Sequence, residues 1–559
     1  MKHRYKLSCA IACALSVGGL LAAGEDPAEK PAAAAAAASP EVEALRKMLL
    51  DQQRQIDELR RQLAGAPVHE SSGEVASTSA IVPPVSRPAA PSSPSPSASS
   101  SPSPSAASSA SPAAQGPENV SAPLSLKIGD AYVTPVGFMD MTLVSRSTNP
   151  GSGIGTNFGS IPYGNTQAGS LSETRLSIQN SRIGARVDAS YRGAKILGYW
   201  ESDFLGQLGN PPNGGLAVTS NPYVFRMRLY WVDVRKNKFE FLAGQTWSLM
   251  TPNRYGLSPL PGDLFYSQDI DVNYQLGLVW GRIPEYRFVF HPTEKFAFGV
   301  ALSNSEPYVG GANGGSAIVA PACCSSLLGT QVNNGASVIS AAAMAPDIIV
   351  KAAFDPSRKF HLEVAGVEIA NKIANPSTTP AFQTFSNVGA GGSVNLNFAL
   401  AKNLRVLTNN YWSDGGGRYI FGQAPDFVIR SNGALSNVHS GSTVSGLEVT
   451  AGKTLFYGYY GGVYIGKNLG LDANGKTPIG YGPISSDGQN RLIQEITFGT
   501  NTTIWRDAKW GALNFMLQYS YLQRNPWLAA AGAPTSAHAD MGFFNFRYTL
   551  PGAPPNVEH

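Results

Sequence analysis

From Leu124 onward the chain alternates apolar and polar residues in runs of about ten, and clusters of Gly, Asn, Pro and Ser separate the runs. A period of two suits strands and not helices, because successive side chains of a strand point to opposite faces. Ile183, Ala185, Val187, Ala189 and Tyr191 share one face, against Arg182, Gly184, Arg186, Asp188 and Ser190 on the other. On the next strand Trp200 and Phe204 oppose Glu201 and Asp203. From Tyr223 to Arg235 the pattern sets Phe225, Met227, Leu229 and Trp231 against Arg226, Arg228 and Tyr230. Strands that are apolar on one face and charged on the other suit lipid or a packed core on one side and water on the other.

The connections sharpen this reading. Arg192-Gly193-Ala194, Lys236-Asn237-Lys238, Lys402-Asn403 and Gly452-Lys453-Thr454 read as short turns, whereas 147–173, 205–222, 306–345 and 468–490 are long. Short turns at one rim and long loops at the other are the build of exported membrane barrels. Counting predicts about sixteen strands between 133 and 550, the last being Asp540 to Leu550. Tyr274 to His291 is ambiguous: Pro284 marks either a bulge in one long strand or a turn between two, and an even total favours the bulge.

Composition agrees. Only 14% of residues are charged, against about 25% in ordinary soluble domains, while aromatics reach 10% and the mean hydropathy is −0.10. A helical membrane protein would be more apolar, and a soluble β-sandwich array would not set so many aromatics opposite Arg and Glu. After the first residues no apolar run reaches about 18, the length a membrane helix needs. Ala336 to Ala345 comes nearest and stops at Pro346-Asp347.

Ahead of the strands, residues 1–24 read as a secretory signal peptide. Lys2, Arg4 and Lys6 precede an apolar stretch from Leu7 to Leu21, and Ala22, Ala23 and Gly24 precede Glu25. Removing those three cations from the chain's 42 leaves 39 Lys and Arg against 38 Asp and Glu, so charge points to no nucleic acid. Residues 25–39 form a disordered Pro/Ala-rich segment. Ser39-Pro40 then opens a helix over 40–65. Val42, Leu45, Leu49, Gln52, Ile56, Leu59 and Leu63 recur at alternating spacings of three and four, an a/d coiled-coil seam that favours self-association. A Ser/Pro/Ala-rich linker covers 66–122, the barrel 123–550 and a tail 551–559. The fold expected is therefore an all-β, 16-stranded antiparallel transmembrane barrel, preceded by a short coiled-coil helix and a disordered linker.

No nucleophile elbow, HExxH helix, Walker loop or dinucleotide fingerprint is present, and seven histidines show no ligand spacing. The expectation is no enzyme, no metal and no cofactor. Cys323 and Cys324 are adjacent, a spacing that strains a mutual disulfide. What remains is the lumen. Arg182, Arg186, Arg226 and Arg228 fall on polar faces of neighbouring strands, with Glu201 and Asp203 between them. Thr251 to Asp263, rich in proline and carrying Arg254, reads as a loop folded inward to narrow the pore. These charges either select solutes or merely satisfy one another and hold the loop.

With the seam at 42–63, Asn180-Ser181-Arg182-Ile183-Gly184 opening the second strand and Gly244-Gln245 leading into the third loop, the chain resembles the DcaP-like trimeric porins of Gram-negative outer membranes. The resemblance implies a homotrimer in the outer membrane, in contact with bilayer lipid and lipopolysaccharide, with its helices in the periplasm. It also implies small anionic solutes such as dicarboxylates, with Arg182, Arg186, Arg226, Arg228 and Arg254 as contacts, and Glu201, Asp203 and Asp263 lining the pore. The chain departs from such barrels at its end, where Leu550 precedes Pro551 in place of a terminal aromatic. The competing expectation is a structural protein that tethers the envelope through its coiled coil.

Overall fold

The computed structural model describes residue 54 and residues 124–206, 224–329, 345–378, 381–484 and 488–551. The signal segment, the seam from Val42 to Leu63 and the linker up to residue 123 lie outside the described residues; Arg54 alone is described there, helical and exposed.

Sixteen strands form the wall. They are β1 (Ala131–Arg146), β2 (Arg182–Tyr191), β3 (Ala194–Gly206), β4 (Val224–Lys236), β5 (Phe239–Trp247), β6 (Arg282–Thr293), β7 (Phe296–Ser303) and β8 (Asp347–Ser357). Then come β9 (Phe360–Asn375), β10 (Gln383–Ala401), β11 (Leu404–Asp414), β12 (His439–Ala451), β13 (Thr454–Ile465), β14 (Asn490–Asp507), β15 (Gly511–Pro526) and β16 (Ala537–Thr549). Each pairs antiparallel with its neighbours in chain order, and β16 pairs with β1 from Phe138↔Thr549 to Arg146↔Met541. That last ladder closes the sheet. Closure satisfies every edge amide, the condition for a β-structure to stand in lipid.

The outward faces carry Val232, Phe288, Val300, Val350, Leu447 and Phe498, all exposed, and aromatics such as Tyr191, Phe239 and Trp510 sit nearer the turns. An exposed apolar belt of this kind on a closed barrel is a lipid-facing surface. No described helix is long and apolar enough to cross a membrane, which has no bearing on strands.

The expected alternation fails at one place, for a local reason. Glu201 pairs with Leu229 and Ser202 with Met227, so Arg228 is an extra residue, a β-bulge in β4. Past the bulge the faces exchange. Leu229 and Trp231 turn inward and are buried, Tyr230 turns out, and Trp231 stacks on Tyr199 at 5.5 Å. Strand β6 also differs from expectation, since Pro284 marks neither bulge nor turn. It is the third residue of a strand that begins at Arg282, opposite Gln245, near the strand start where a missing amide is tolerated. Tyr274 to Gly281 belongs to the loop before it.

Loops are referred to as L1 (147–172), L3 (248–281), L4 (304–346), L6 (415–438) and L7 (466–489). Their described parts do not stand free above the barrel. Ile154 and Phe158 of L1, Leu276 and Val279 of L3, Val309 of L4, Phe427 of L6 and Tyr481 of L7 share one buried apolar cluster with the inward residues Ile349, Ile369, Val463 and Met541 of the wall. The loop-side half of the lumen is thus packed with loop side chains.

Candidate functional site

L3 is the element that shapes what remains of the lumen. It crosses from β5 to the far wall and is fastened there strand by strand. Lys351 Nζ of β8 donates to the Thr251 carbonyl at 2.8 Å, and the Asn253 amide donates to Glu363 of β9 at 3.1 Å. Asn395 of β10 donates to the Asn253 carbonyl at 2.8 Å. The Val279 amide donates to Asn409 of β11 at 3.4 Å, and Arg254 grips Glu448 of β12 at 2.7 and 2.9 Å. The amides of Gln268, Leu276 and Ile270 donate to Tyr459 of β13, Glu495 of β14 and Gln518 of β15. Buried backbone amides without water need such partners. The inward fold expected for Thr251 to Asp263 therefore holds, but the inward segment runs on to Gly281.

Opposite that fastening, β2, β3, β4 and β6 bring arginines together. Arg226 donates two bonds to Asp203, at 2.9 and 2.7 Å. Arg228, aimed inward by the bulge, reaches Glu201 at 2.8 Å and Asp203 at 2.6 Å, and Arg182 reaches Glu201 at 3.4 Å. Arg182 and Arg228 both donate to the Tyr274 hydroxyl of L3, at 3.4 and 3.3 Å. Burial alone would raise that hydroxyl, but Arg182, Arg228 and Arg282 outweigh it and hold it below the ordinary phenol value.

Arg282 is the fourth. It enters none of the ion pairs among the described residues, its Nε is buried without a hydrogen-bond partner, and its guanidinium lies 5.4 Å from the Trp247 ring and 6.0 Å from that of Trp280. Four wall arginines thus face two wall carboxylates. Arg226, Arg228, Arg282, Trp247, Tyr274 and Trp280 line a cavity of ≈ 410 Å³, which Arg418 of L6 and Glu306 of L4 also border. Arg418 adds little net charge, because it pairs with Asp426 at 2.8 Å and Asp347 at 3.3 Å. Burial pushes Asp426 up to about 6, although Arg418 pulls the other way.

Of the residues expected to line the pore, Arg182, Arg226, Arg228, Glu201 and Asp203 come together. Three stand apart. Arg186 is buried and spends three bonds on Asp188 of its own strand. Arg254 holds L3 to Glu448 on the opposite wall. Asp263 ends a short turn (Pro261–Asp263) whose backbone oxygen accepts from Arg254, and its carboxylate pairs with none of these arginines. Sequence reasoning gave no site role to Arg282, Trp247, Trp280 or Tyr274; nearby it singled out Gly244-Gln245 leading into the third loop and the ambiguous stretch from Tyr274 to His291.

Among the described residues no group of three or more His, Cys, Asp or Glu could hold a metal ion. Cys323 and Cys324 are free thiols, half-buried and buried.

No protein-family model matches this sequence, and no curated protein does. Among solved structures the fold is similar to the crystal structure of the outer membrane channel DcaP of Acinetobacter baumannii, with TM-score 0.53 at 13% identity over 76% of this chain and 99% of that one. The anion-selective porin from Comamonas acidovorans aligns at TM-score 0.42 and 11% identity, over 75% of this chain and all of that one, too loosely to carry weight here. At such identities the likeness is one of fold.

Proposed function

We propose that this protein is an outer-membrane porin that passes small hydrophilic solutes and favours small anions, dicarboxylates among them. The observation that carries the reading is the surplus of arginine at the cavity beside L3, where Arg182, Arg226, Arg228 and Arg282 outnumber Glu201, Asp203 and Glu306 of L4. A fixed positive charge in a narrow passage raises the local anion concentration and repels cations. The aromatic rings under Arg228 and Arg282 keep both guanidinium planes in place. A solute carboxylate meeting Arg282 displaces no carboxylate among the described residues.

The DcaP channel is the solved structure whose fold supports the general reading, and a homotrimer with its N-terminal helix in the periplasm belongs to the same proposal. Single-channel recording of the purified protein in planar bilayers, with a salt gradient, is the test. Closure in three equal steps and a reversal potential on the anion side are expected. A folded barrel that conducts nothing would overturn the proposal, and a cation-side reversal potential would overturn its anionic part.

A further inference from the structure

Seven tight turns join the strands at the rim opposite the loops: β2–β3, β4–β5, β6–β7, β8–β9, β10–β11, β12–β13 and β14–β15. Every one carries a cation. Counting each turn with its flanking residues, Arg192, Lys236, Lys238, Lys295, Arg358, Lys359, Lys402, Lys453 and Lys509 stand against two carboxylates, Glu294 and Asp507. All nine are exposed, and none enters an ion pair among the described residues. For a mature chain nearly balanced in charge, such a concentration at one end is not compositional accident.

The neighbours of these cations say what the rim meets. Tyr191, Phe239, Phe296 and Trp510 are outward-facing, exposed and adjacent to Arg192, Lys238, Lys295 and Lys509. Arg192 lies 5.1 Å from the Tyr191 ring and Lys509 lies 5.6 Å from the Trp510 ring. Aromatic side chains at a barrel rim sit at the level of lipid headgroups. A cation one residue beyond each ring therefore stands at the depth of the headgroup phosphates.

We propose that this rim is a docking surface for anionic phospholipid headgroups of the membrane leaflet on the turn side. The charges are spread round the circumference, turn after turn, and at four of the seven turns a cation adjoins a lipid-facing ring; Arg358 instead lies 4.5 Å from the ring of Tyr255 in L3. An axial polymer such as a cell-wall strand would need neither feature. Because short turns face the periplasm in exported barrels, the leaflet concerned is the periplasmic one, and the docking sets the depth at which the barrel rides. The inference is independent of whether the pore conducts.

The test uses the full chain, folded into vesicles of phosphatidylcholine alone or mixed with phosphatidylglycerol, then extracted gently for native mass spectrometry of retained lipid. Wild type is expected to retain phosphatidylglycerol over phosphatidylcholine about fivefold beyond the bulk ratio, the size of one juxtamembrane cation–headgroup contact. A variant with Lys238→Gln, Lys295→Gln, Lys359→Gln, Lys402→Gln and Lys453→Gln is expected to retain lipids in the bulk ratio. These side chains make no described contacts, so its heat-modifiable folded band should match wild type. Lys467→Gln with Lys476→Gln, at the loop rim, should keep the enrichment. Equal retention by wild type and the rim variant overturns the proposal. So does a rim variant that keeps its lipid preference but loses binding to purified cell-wall sacculi, which would make the wall the partner.

Discussion

Replacing Arg282 by Gln removes one positive charge from the cavity while keeping most of the side-chain volume. Arg282 enters no described ion pair, so the change strands no carboxylate, which separates it from any replacement of Arg226 or Arg228. Its guanidinium lies 5.4 Å from Trp247, a residue that borders the same cavity, so a solute there comes within about 6 Å of the charge. At an effective dielectric somewhat below that of water, that separation gives about 1 kcal/mol. The anion concentration at the cavity should then fall about fivefold. The assay is the reversal potential across a salt gradient, read near 0.1 M and again near 1 M, where the Debye length falls from about 10 Å to about 3 Å. At low salt R282Q should move the potential toward the cation side; at high salt it should nearly coincide with wild type. Lys476→Gln makes the same charge change on an exposed hairpin of L7 and should move nothing. An R282Q channel that behaves like the K476Q channel at low salt would refute the reasoning, since the selecting charge would then lie elsewhere.

Other consequences can be checked separately. Arg254→Ala leaves the buried Glu448 with the Tyr459 hydroxyl and the more distant charge of Arg405, and should lower stability by about 3 kcal/mol, measured by denaturant titration of the refolded barrel. Single-channel records of that variant should show added current noise from a loosened L3. Gly244 adopts φ +138° and a Cβ there would collide with the Tyr230 carbonyl oxygen, so Gly244→Ala should cost about 1–3 kcal/mol by the same titration. In L3, burial pushes Asp269 up to about 7, with Ser267 opposing and Asp271 and Glu448 adding. A carboxyl raised on folding binds its proton more tightly when folded, so its contribution is full below about pH 4 and lost as pH rises through 7. The unfolding temperature should therefore fall over that window, and Asp269→Asn should flatten the part of the slope that Asp269 supplies.

The wall was readable in the sequence because lipid and water impose a period of two on every strand, and the tight turns carry their own Gly, Asn and Lys. The bulge at Arg228 was not. Nothing in Phe225 to Trp231 departs from alternation; the extra residue exists only relative to the pairing of β3, which is a fact about two strands. The same holds for the latter half of L3. Tyr274 to Trp280 reads as strand, yet the amides of Leu276 and Val279 are satisfied by wall side chains and those of Tyr274, Leu278 and Trp280 by loop carbonyls, not by a ladder. The basic character of Arg182, Arg226 and Arg228 was legible, whereas the isolation of Arg282 depends on which carboxylates fail to reach it. Arg186 and Arg254 show the converse, for each found a private partner that alternation could not reveal.

The fastening of L3 has a mechanical side. A closed sheet is a hoop, stiff along its strands but easily squeezed to an oval, because ladders tolerate changes of angle between neighbours. L3 ties one side of this hoop to eight consecutive strands, β8 to β15, as a spoke ties a rim. Lateral pressure from the surrounding bilayer is then borne by the spoke as well as by the sheet. The cross-section of the passage should stay round in thick and thin membranes alike, and cutting the anchors should make its width respond to the lipid around it.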